Sequence, residues 1–306
     1  MAGASAEKPY GYRARVGLAE TFGRASSREI LLRDGRPQGW TGPVRDPARN
    51  DTCVSADRID GWLEALDRRH LASLTPQEVA RALRALSATY VERRDRLHRG
   101  GALESAGKRA AFALFYAPLH LIVTKAVLDA LPAPPRPPRD VLDVGCGTGS
   151  AGAAWALHAG GISIRGIDRH PWAAAEATWT YRQLGLDGRA VQRDATREPL
   201  RARAGTAVMV AYAANEVGDD GRAWLLAELL GAHSRGAAVL VIEPIARRAA
   251  PWWPQWATRI VSAGGRADEW RFPSTLPPRQ QALARAAGLD PRELTARSLY
   301  LPAPAA

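Results

Sequence analysis

Three acidic residues lie within or directly after apolar runs between residues 140 and 195, and their positions could place them around one ligand. Asp143 lies two residues before a glycine-rich turn, Asp168 ends the next apolar run, and Asp194 follows the third. Because the carboxyl ends of parallel strands meet at one edge of a sheet, we expect these carboxylates to share a site. Carboxylates at such a turn favour a ligand that carries positive charge.

The glycine-rich turn follows a buried strand and opens a helix, and two interpretations of it compete. Gly147, Gly149 and Gly152 have the spacing of a dinucleotide-binding turn, with Asp168 as the acid further along the chain. A dinucleotide places a pyrophosphate at the helix N-terminus. The carboxylate of Asp143 would repel that group, so the charge argues against this interpretation.

Asp143 followed by Gly145, Gly147 and Gly149 resembles the first motif of class I S-adenosylmethionine-dependent methyltransferases. This methyl donor carries an ammonium and a sulfonium, and Asp143 is well placed to attract the ammonium. The glycines let the backbone approach the ligand closely. We therefore favour the methyltransferase interpretation, which implies an enzyme with S-adenosyl-L-methionine as its cofactor.

The same resemblance implies a set of cofactor-binding residues along the sheet edge. Asp168 would accept both ribose hydroxyls, Asp194 would contact the adenine amino group, and the amide of Ala195 would bind a ring nitrogen. Structural roles are the alternatives, above all for Cys146 as a small turn residue. The expected cofactor-binding residues are Asp143, Gly145, Cys146, Gly147, Gly149, Asp168, Arg169, Asp194 and Ala195.

Asn215 and Glu216 follow the fourth apolar run, where donor and acceptor meet in class I methyltransferases. Either side chain could orient or deprotonate the acceptor, although Asn215 could equally cap a turn and Glu216 could start a helix. Glu243, after the fifth run, is a similar candidate. His120 and His170 are possible bases, but isolated histidines are more often structural. No group of residues has metal-ligand spacing, so we expect no metal.

The elements that position these residues predict an α/β fold, with a doubly wound Rossmann-like methyltransferase sheet preceded by an N-terminal mostly helical region. Short apolar runs alternate with helical patterns, which is typical of βαβ units. They cover residues 141–144, 162–167, 190–192, 207–212 and 237–242. We predict an irregular N-terminal segment at 1–55, a helical region with a proline-rich linker at 56–135, and a class I methyltransferase domain at 136–306.

A narrower resemblance is to the methyltransferase-like family associated with the mitochondrial and bacterial small ribosomal subunit. It rests on residues 116–128, 211–217 and 241–244. That family usually carries a cysteine cluster after the fifth strand, whereas this chain has tryptophans and no cysteine there. An iron–sulfur site of that kind is therefore absent. The tryptophans, which could stack on a flat acceptor or fill the core, are Trp252, Trp253, Trp256 and Trp270.

Composition limits the partners and the location. The chain has 306 residues, 46% of them hydrophobic, and carries a net charge of +11. That charge allows a nucleic-acid partner, but nearly all basic residues are arginines spread along the chain. We find no apolar run of the roughly 18 residues that a membrane span needs and no apolar N-terminal leader. Only two cysteines occur. We therefore expect a cytoplasmic protein with no membrane partner.

These observations predict an S-adenosylmethionine-dependent methyltransferase that acts on an oxygen or nitrogen acceptor. A small-molecule substrate is favoured. Two alternatives stay open, namely an rRNA methyltransferase and a non-catalytic methyltransferase-like ribosome assembly factor. The sequence gives no indication of the oligomeric state.

Overall fold

A seven-stranded sheet lies at the centre of the described part of the chain, which comprises residues 47–92, 103–245, 250–289 and 292–304 of a computed structural model. The strands lie in the order β3-β2-β1-β4-β5-β7-β6. β1 to β5 are parallel, β7 runs antiparallel to β5, and β6 runs antiparallel to β7. The strands are β1 (Asp140–Val144), β2 (Ser163–Asp168), β3 (Gly188–Gln192), β4 (Thr206–Ala211), β5 (Ala238–Glu243), β6 (Arg266–Pro273) and β7 (Glu293–Leu301).

Helices cover both faces of the sheet. One face carries α4, α5 and α6, and the other carries α7 and α8. On the first face, α1 packs against α6, and α1, α2, α3 and α9 surround the turn that joins α3 to α4. The helices are α1 (Pro47–His70), α2 (Pro76–Glu92), α3 (Ala106–Ala111), α4 (Ala117–Ala130), α5 (Ser150–His158), α6 (Pro171–Gln183), α7 (Asp219–Ser234), α8 (Trp253–Ser262) and α9 (Pro278–Ala286). A π-helical turn (Phe112–Tyr116) joins α3 to α4, and a 3-10 turn (Ala214–Glu216) follows β4.

The structure confirms the predicted doubly wound sheet with a helical region before it. β4 and β5 are buried at almost every position, as expected for parallel strands that are covered on both faces. This burial explains why the strands coincide with the apolar runs. Of the segment predicted as irregular at 1–55, residues 1–46 lie outside the described residues and 47–55 belong to α1. The division at residues 55 and 135 stays a prediction.

β6 is a strand for which we made no prediction from the sequence. It lies at the edge of the sheet, and its exposure alternates along the strand. Trp270 and Phe272 stack on each other at an interplanar angle of 12°, whereas their exposed neighbours Glu269 and Arg271 are charged. An edge strand covered on one face needs few apolar residues, so it leaves a weak sequence signal.

Helix α3, the π-helical turn and α4 form one continuous helix that contains Pro118. Proline lacks the N–H that would bond to the carbonyl four residues earlier. That carbonyl, of Leu114, instead accepts a hydrogen bond from Nε2 of Gln280 on α9 at 3.3 Å. By length and composition this helix could cross a membrane, but 61% of its apolar window is buried inside the protein. Buried core helices pass the same test.

The strand order reverses between β1 and β4. Helices leave the sheet in opposite directions at such a point, so a crevice opens at the carboxyl ends of the strands. The predicted site residues follow β1, β2, β3 and β4, and the fold therefore brings them to this crevice.

Candidate functional site

A cavity of about 920 Å³ opens at the carboxyl ends of the parallel strands. Pockets for small ligands have volumes of about 300–1,000 Å³, so this one has room for a sizeable ligand. Of the predicted residues, only Gly149 is not on its wall. The predicted residues that line it are Asp143, Gly145, Cys146, Gly147, Asp168, Arg169, Asp194, Ala195, Asn215 and Glu216. The fold brings these residues together, while their individual roles stay predictions.

Glycine is required at three positions of the turn between β1 and α5. Gly145, Gly147 and Gly149 have φ values of +67°, +53° and +78°, in the left-handed region that disfavours other residues. A Cβ at Gly149 would also lie 2.6 Å from the ring of Tyr181. The amides of Gly145 and Cys146 donate to the carbonyl of Ile167 at 2.8 and 3.0 Å, which fixes the turn to the end of β2.

The side chain of Asp143 lies on the buried side of the glycine turn. It is 1% exposed, and its Oδ2 accepts hydrogen bonds from the amide of Gly152 at 3.2 Å and the hydroxyl of Tyr181 at 3.5 Å. Burial raises the pKa of Asp143 to about 7, although the bond from Gly152 partly offsets this rise. The carboxylate therefore supports the helix N-terminus as well as lining the cavity.

Asp168 links the end of β2 to the glycine turn. Its Oδ2 accepts from the amide of Gly147 at 2.9 Å, and its Oδ1 accepts from the amide of His170 at 2.8 Å. Burial raises the pKa of Asp168, and these two bonds work against the rise. Each carboxylate oxygen can accept a further bond, so the group can still receive hydroxyl donors from the cavity.

Asp194 begins a turn after β3. Its Oδ1 accepts from the amide and the hydroxyl of Thr196 at 3.0 and 2.7 Å, and its Oδ2 pairs with Arg197 at 3.3 Å. The side chain is 39% exposed. Burial pulls the pKa of Asp194 upward, but the bonds from Thr196 outweigh it, and the pKa is lowered. The turn-forming role considered from the sequence is therefore present, alongside a position on the cavity wall.

Both polar atoms of the Asn215 side-chain amide form hydrogen bonds with neighbouring side chains. Its Nδ2 donates to Oε2 of Glu243 at 2.6 Å, and its Oδ1 accepts from Nε1 of Trp252 at 3.0 Å. Glu243 is fully buried and also accepts from the amides of Ala214 and Asn215. Burial raises the pKa of Glu243 to about 8. This network fixes Asn215 at the cavity wall beside Glu216.

Trp252 reaches Asn215 from the loop before α8, and the sequence contained no sign of this bond. Trp252, Trp253 and Trp256 are all at least nine-tenths buried and pack in the core on the α7 and α8 face. Trp270 donates from Nε1 to the hydroxyl of Ser298 at 2.8 Å. Of the two roles considered for the tryptophans, the structure supports packing. None of the four lines the cavity.

An aromatic wall, which consists of Phe112, Tyr116, His120 and Tyr212, closes the cavity on the side of the N-terminal helices. The rings of His120 and Tyr212 stack with centroids 3.8 Å apart and an interplanar angle of 11°. The rings of Phe112 and Tyr116 lie 6.0 and 5.9 Å from that of His120. The sequence had marked only His120, as a possible base, and the pairing with Tyr212 depends on the fold.

Metal-ligating side chains do not cluster in the described ranges. No group of three or more His, Cys, Asp or Glu there could hold a metal ion. Cys146 is a free, buried cysteine within the turn, and burial raises the pKa of its thiol. It therefore stays a neutral thiol and fills space under the turn.

Comparisons with known proteins agree with the site geometry. Residues 141–236 match the family model described as methyltransferase domain. This match covers the glycine turn, the strand that ends at Asp168 and the strands that precede Asp194 and Asn215. A search of curated proteins found no match for the chain.

Several solved structures are similar to the chain. A SAM-dependent methyltransferase from Aquifex aeolicus is 16% identical, with 60% of this chain and 91% of that chain covered and a TM-score of 0.40. A TehB-like SAM-dependent methyltransferase from Corynebacterium glutamicum is 16% identical, with 59% and 87% covered and a TM-score of 0.37. A plantazolicin methyltransferase in complex with SAH is 12% identical, with 74% and 97% covered and a TM-score of 0.39. None of these matches supports the resemblance to the ribosome-associated family.

Proposed function

We propose that this chain, of which residues 141–236 match a family model described as methyltransferase domain, is a class I S-adenosylmethionine-dependent methyltransferase that transfers a methyl group to an oxygen or nitrogen atom of a small molecule. The methyltransferase activity follows from the domain, and the kind of acceptor is our inference. We also propose that the protein acts in the cytoplasm, where a free cysteine such as Cys146 stays reduced.

The residues at the glycine turn fit S-adenosylmethionine. Asp143 and Asp168 are carboxylates whose pKa values burial has raised, so their negative charges are incompletely compensated within the protein. A ligand with an ammonium and a sulfonium would compensate them, whereas a pyrophosphate would increase the repulsion. When bound, this cofactor supplies a methyl group that is already activated for displacement.

The chain's own residues position the two reactants. Asp168 is the group that would hold ribose hydroxyls, because it lies at the end of β2 with acceptor capacity to spare. Asn215 and Glu216 lie on the wall next to the turn, where Ala213 approaches Gly145 so closely that a Cβ there would lie 2.6 Å from that of Ala213. Positioning alone can supply a large part of the rate of a two-reactant step.

The small-molecule proposal rests on one observation, which is that the aromatic wall is uncharged. It offers ring faces and no formal charge at neutral pH, since burial lowers the pKa of His120 to about 3 and raises that of Tyr116 to about 12. A flat, uncharged acceptor would pack well against such a wall. A nucleic acid would instead need cations that contact phosphates on this side.

RNA is the second candidate acceptor, and a non-catalytic role in ribosome assembly is the third. Both find support in the net charge of +11. The basic cluster at 93–99, which could contact phosphates, lies outside the described residues. Affinity for RNA that falls steeply with salt would support the RNA alternative.

Tritiated S-adenosylmethionine tests the proposal directly. The protein is incubated with the donor and a cell extract, and label is then measured in the RNA, protein and small-molecule fractions. We expect label in the small-molecule fraction. Label in RNA would support the second candidate, and binding of S-adenosylhomocysteine without transfer to any fraction would support the third.

Calorimetry with S-adenosylhomocysteine tests the cofactor site independently of the acceptor. Asp168→Ala should weaken binding at least tenfold, because it removes the ribose ligand and the anchor of the turn. Asp129→Ala is the matched control, since Asp129 lies at the end of α4 and pairs there with Lys125. Its affinity should equal that of the wild type, and an equal loss in both variants would contradict the assigned site.

A further inference from the structure

We propose that His120 takes the proton of the acceptor group during methyl transfer. This inference rests on the proposed function and assigns a catalytic residue to the same cavity. His120 lies on α4, outside the methyltransferase domain match, and lines the cavity, where its ring stacks on that of Tyr212 after β4.

The stack on Tyr212 fixes the plane of the His120 ring. The two rings are nearly parallel, at 11°, so the imidazole cannot turn without losing that contact. Among the described residues, His120 makes no hydrogen bond. Its ring nitrogens are therefore available to a ligand in the cavity.

Tyr212 occupies a backbone conformation that costs energy. Its φ is +57°, and it is the non-glycine residue with positive φ in the described part of the chain. Such residues persist where their surroundings hold them, and they cluster at functional sites. The amide of Tyr212 donates to the carbonyl of Ile242 on β5 at 2.8 Å. β5 thus holds the strained residue, and the result is a phenol ring against His120.

The surroundings of His120 keep the imidazole neutral. Burial alone lowers its pKa, and no charged neighbour contributes. The titratable groups around it are Tyr116 on the preceding turn, whose hydroxyl bonds to Ser87 on α2, and Tyr212 after β4. Burial raises the pKa of both tyrosines, and the charge of Glu243 on β5 raises that of Tyr212 further. Both phenols stay protonated, so His120 is the group on this wall that can accept a proton.

Proton and electron balance fix the order of events. A bond forms between the methyl carbon and the acceptor oxygen or nitrogen, the carbon–sulfur bond breaks, and sulfur keeps the electron pair. The acceptor proton passes to a ring nitrogen of His120 and leaves to solvent when the product departs. A hydroxyl with a pKa of about 10 holds its proton far more tightly than this imidazole. The proton therefore moves only as the new bond makes the acceptor acidic.

The positive charge is conserved in this step, so a half-buried imidazole can serve as the base. It starts on the donor's sulfur and ends on His120. Both positions are on one cavity that Asp143, Asp168 and Glu243 also line. The step therefore moves a positive charge within the cavity and creates no new one.

Two substitutions at His120 test the proposal with the tritiated donor and the small-molecule fraction of the extract. His120→Phe keeps a ring against Tyr212 but removes both nitrogens, and His120→Gln keeps a hydrogen-bonding group that cannot hold the proton. We expect label transfer to fall by about 10²–10⁴-fold in both, while affinity for S-adenosylhomocysteine stays within twofold. His158→Phe is the matched control, because His158 lies at the protein surface on α5, where its Nδ1 is 3.3 Å from Asp129, and this variant should transfer label normally.

The pH profile separates a base from a residue with a structural role. Asp143 and Glu243 line the same cavity with pKa values of about 7 and 8, and they titrate in the wild type and the variants alike. The rate of each variant is therefore divided by the wild-type rate at the same pH. His120 is neutral between pH 6 and 9, so this relative rate should rise about tenfold per pH unit, since the variants depend on acceptor that has already ionised.

A wild-type rate, or a relative rate that does not change with pH, in His120→Gln would overturn the assignment of His120. If the wild type labels no fraction, the proposed function itself fails, and this outcome is distinct from a failure of the His120 assignment.

Discussion

Replacing Gly152 with alanine should destabilise the protein and weaken the cofactor site together. Gly152 is the third residue of α5, and its amide donates to Oδ2 of Asp143. A Cβ at this position would lie 2.4 Å from that oxygen and 2.6 Å from the carboxyl carbon. The side chain of Asp143 is 1% exposed. It must therefore shift by about 1 Å into packed surroundings to reach an ordinary contact distance.

The magnitude follows from three contributions. Overpacking of a core costs about 1–3 kcal/mol, and loss of the amide–carboxylate hydrogen bond costs about 1.5–3 kcal/mol. Alanine returns about 1 kcal/mol because it favours the helix over glycine. The free energy of unfolding should therefore fall by about 2–5 kcal/mol, which corresponds to a Tm lower by about 5–15 °C in a domain of this size.

The assay is thermal unfolding combined with S-adenosylhomocysteine calorimetry, and Gly61→Ala is the control. Gly61 lies on the exposed side of α1, where an added Cβ would meet no atom within 4 Å. The same chemical change should there raise the Tm by about 1–4 °C and leave the affinity unchanged, whereas Gly152→Ala should bind at least tenfold more weakly. Equal Tm shifts in the two variants, or wild-type affinity in Gly152→Ala, would refute the reasoning.

Three further substitutions test other parts of the structure. Asp143 has a pKa of about 7 in the folded state against 3.8 unfolded, so the native state binds its proton more tightly and wild-type stability falls as pH rises from about 4 to 7. Asp143→Asn removes this dependence. In urea unfolding, the free energy of unfolding of this variant relative to that of the wild type should therefore rise by about 2–3 kcal/mol from pH 5 to pH 8. Trp252→Phe removes the hydrogen-bond donor to Asn215 and should cost about 1 kcal/mol of stability. Label transfer should fall several-fold, while the affinity for S-adenosylhomocysteine stays unchanged. A wild-type rate of transfer would contradict the role of this bond. Glu176 is fully buried and pairs with Arg69, which is 41% exposed. Glu176→Ala should therefore lower the free energy of unfolding by about 2–3 kcal/mol, which is less than for a fully buried pair. An unchanged midpoint in chemical denaturation would contradict this prediction.

The parts of the site that the sequence predicted are those that depend on neighbours along the chain. The glycine turn follows its strand directly, and its left-handed backbone at Gly145 requires the residue that is there. The strand before Asn215 is buried along almost its whole length, and the strand that ends at Asp168 is buried at Ile164, Gly166 and Ile167, so their apolar residues were visible. Local chemistry and burial were therefore enough for the fold and for the position of the carboxylates.

The parts that the sequence did not predict depend on contacts between distant segments. The stack of His120 on Tyr212 joins α4 to the end of β4, and the bond from Trp252 to Asn215 joins residues on opposite sides of β5 in the sequence. The orientation of Asp143 was also hidden, because it depends on the absence of a side chain at Gly152. Spacing along the chain carries no information on such contacts.

The hydrogen bond from Gln280 to the carbonyl of Leu114 has a consequence for how the protein is made. It spans 166 residues, and it satisfies a carbonyl that Pro118 leaves without its usual partner in the helix that carries His120. Contacts of such long sequence separation form late, because a large loop must close first. During synthesis, the helix that carries His120 leaves the ribosome long before Gln280. The aromatic wall of the cavity is therefore completed only after α9 has emerged and docked, and a nascent chain that stops before α9 has a glycine turn without a finished acceptor site.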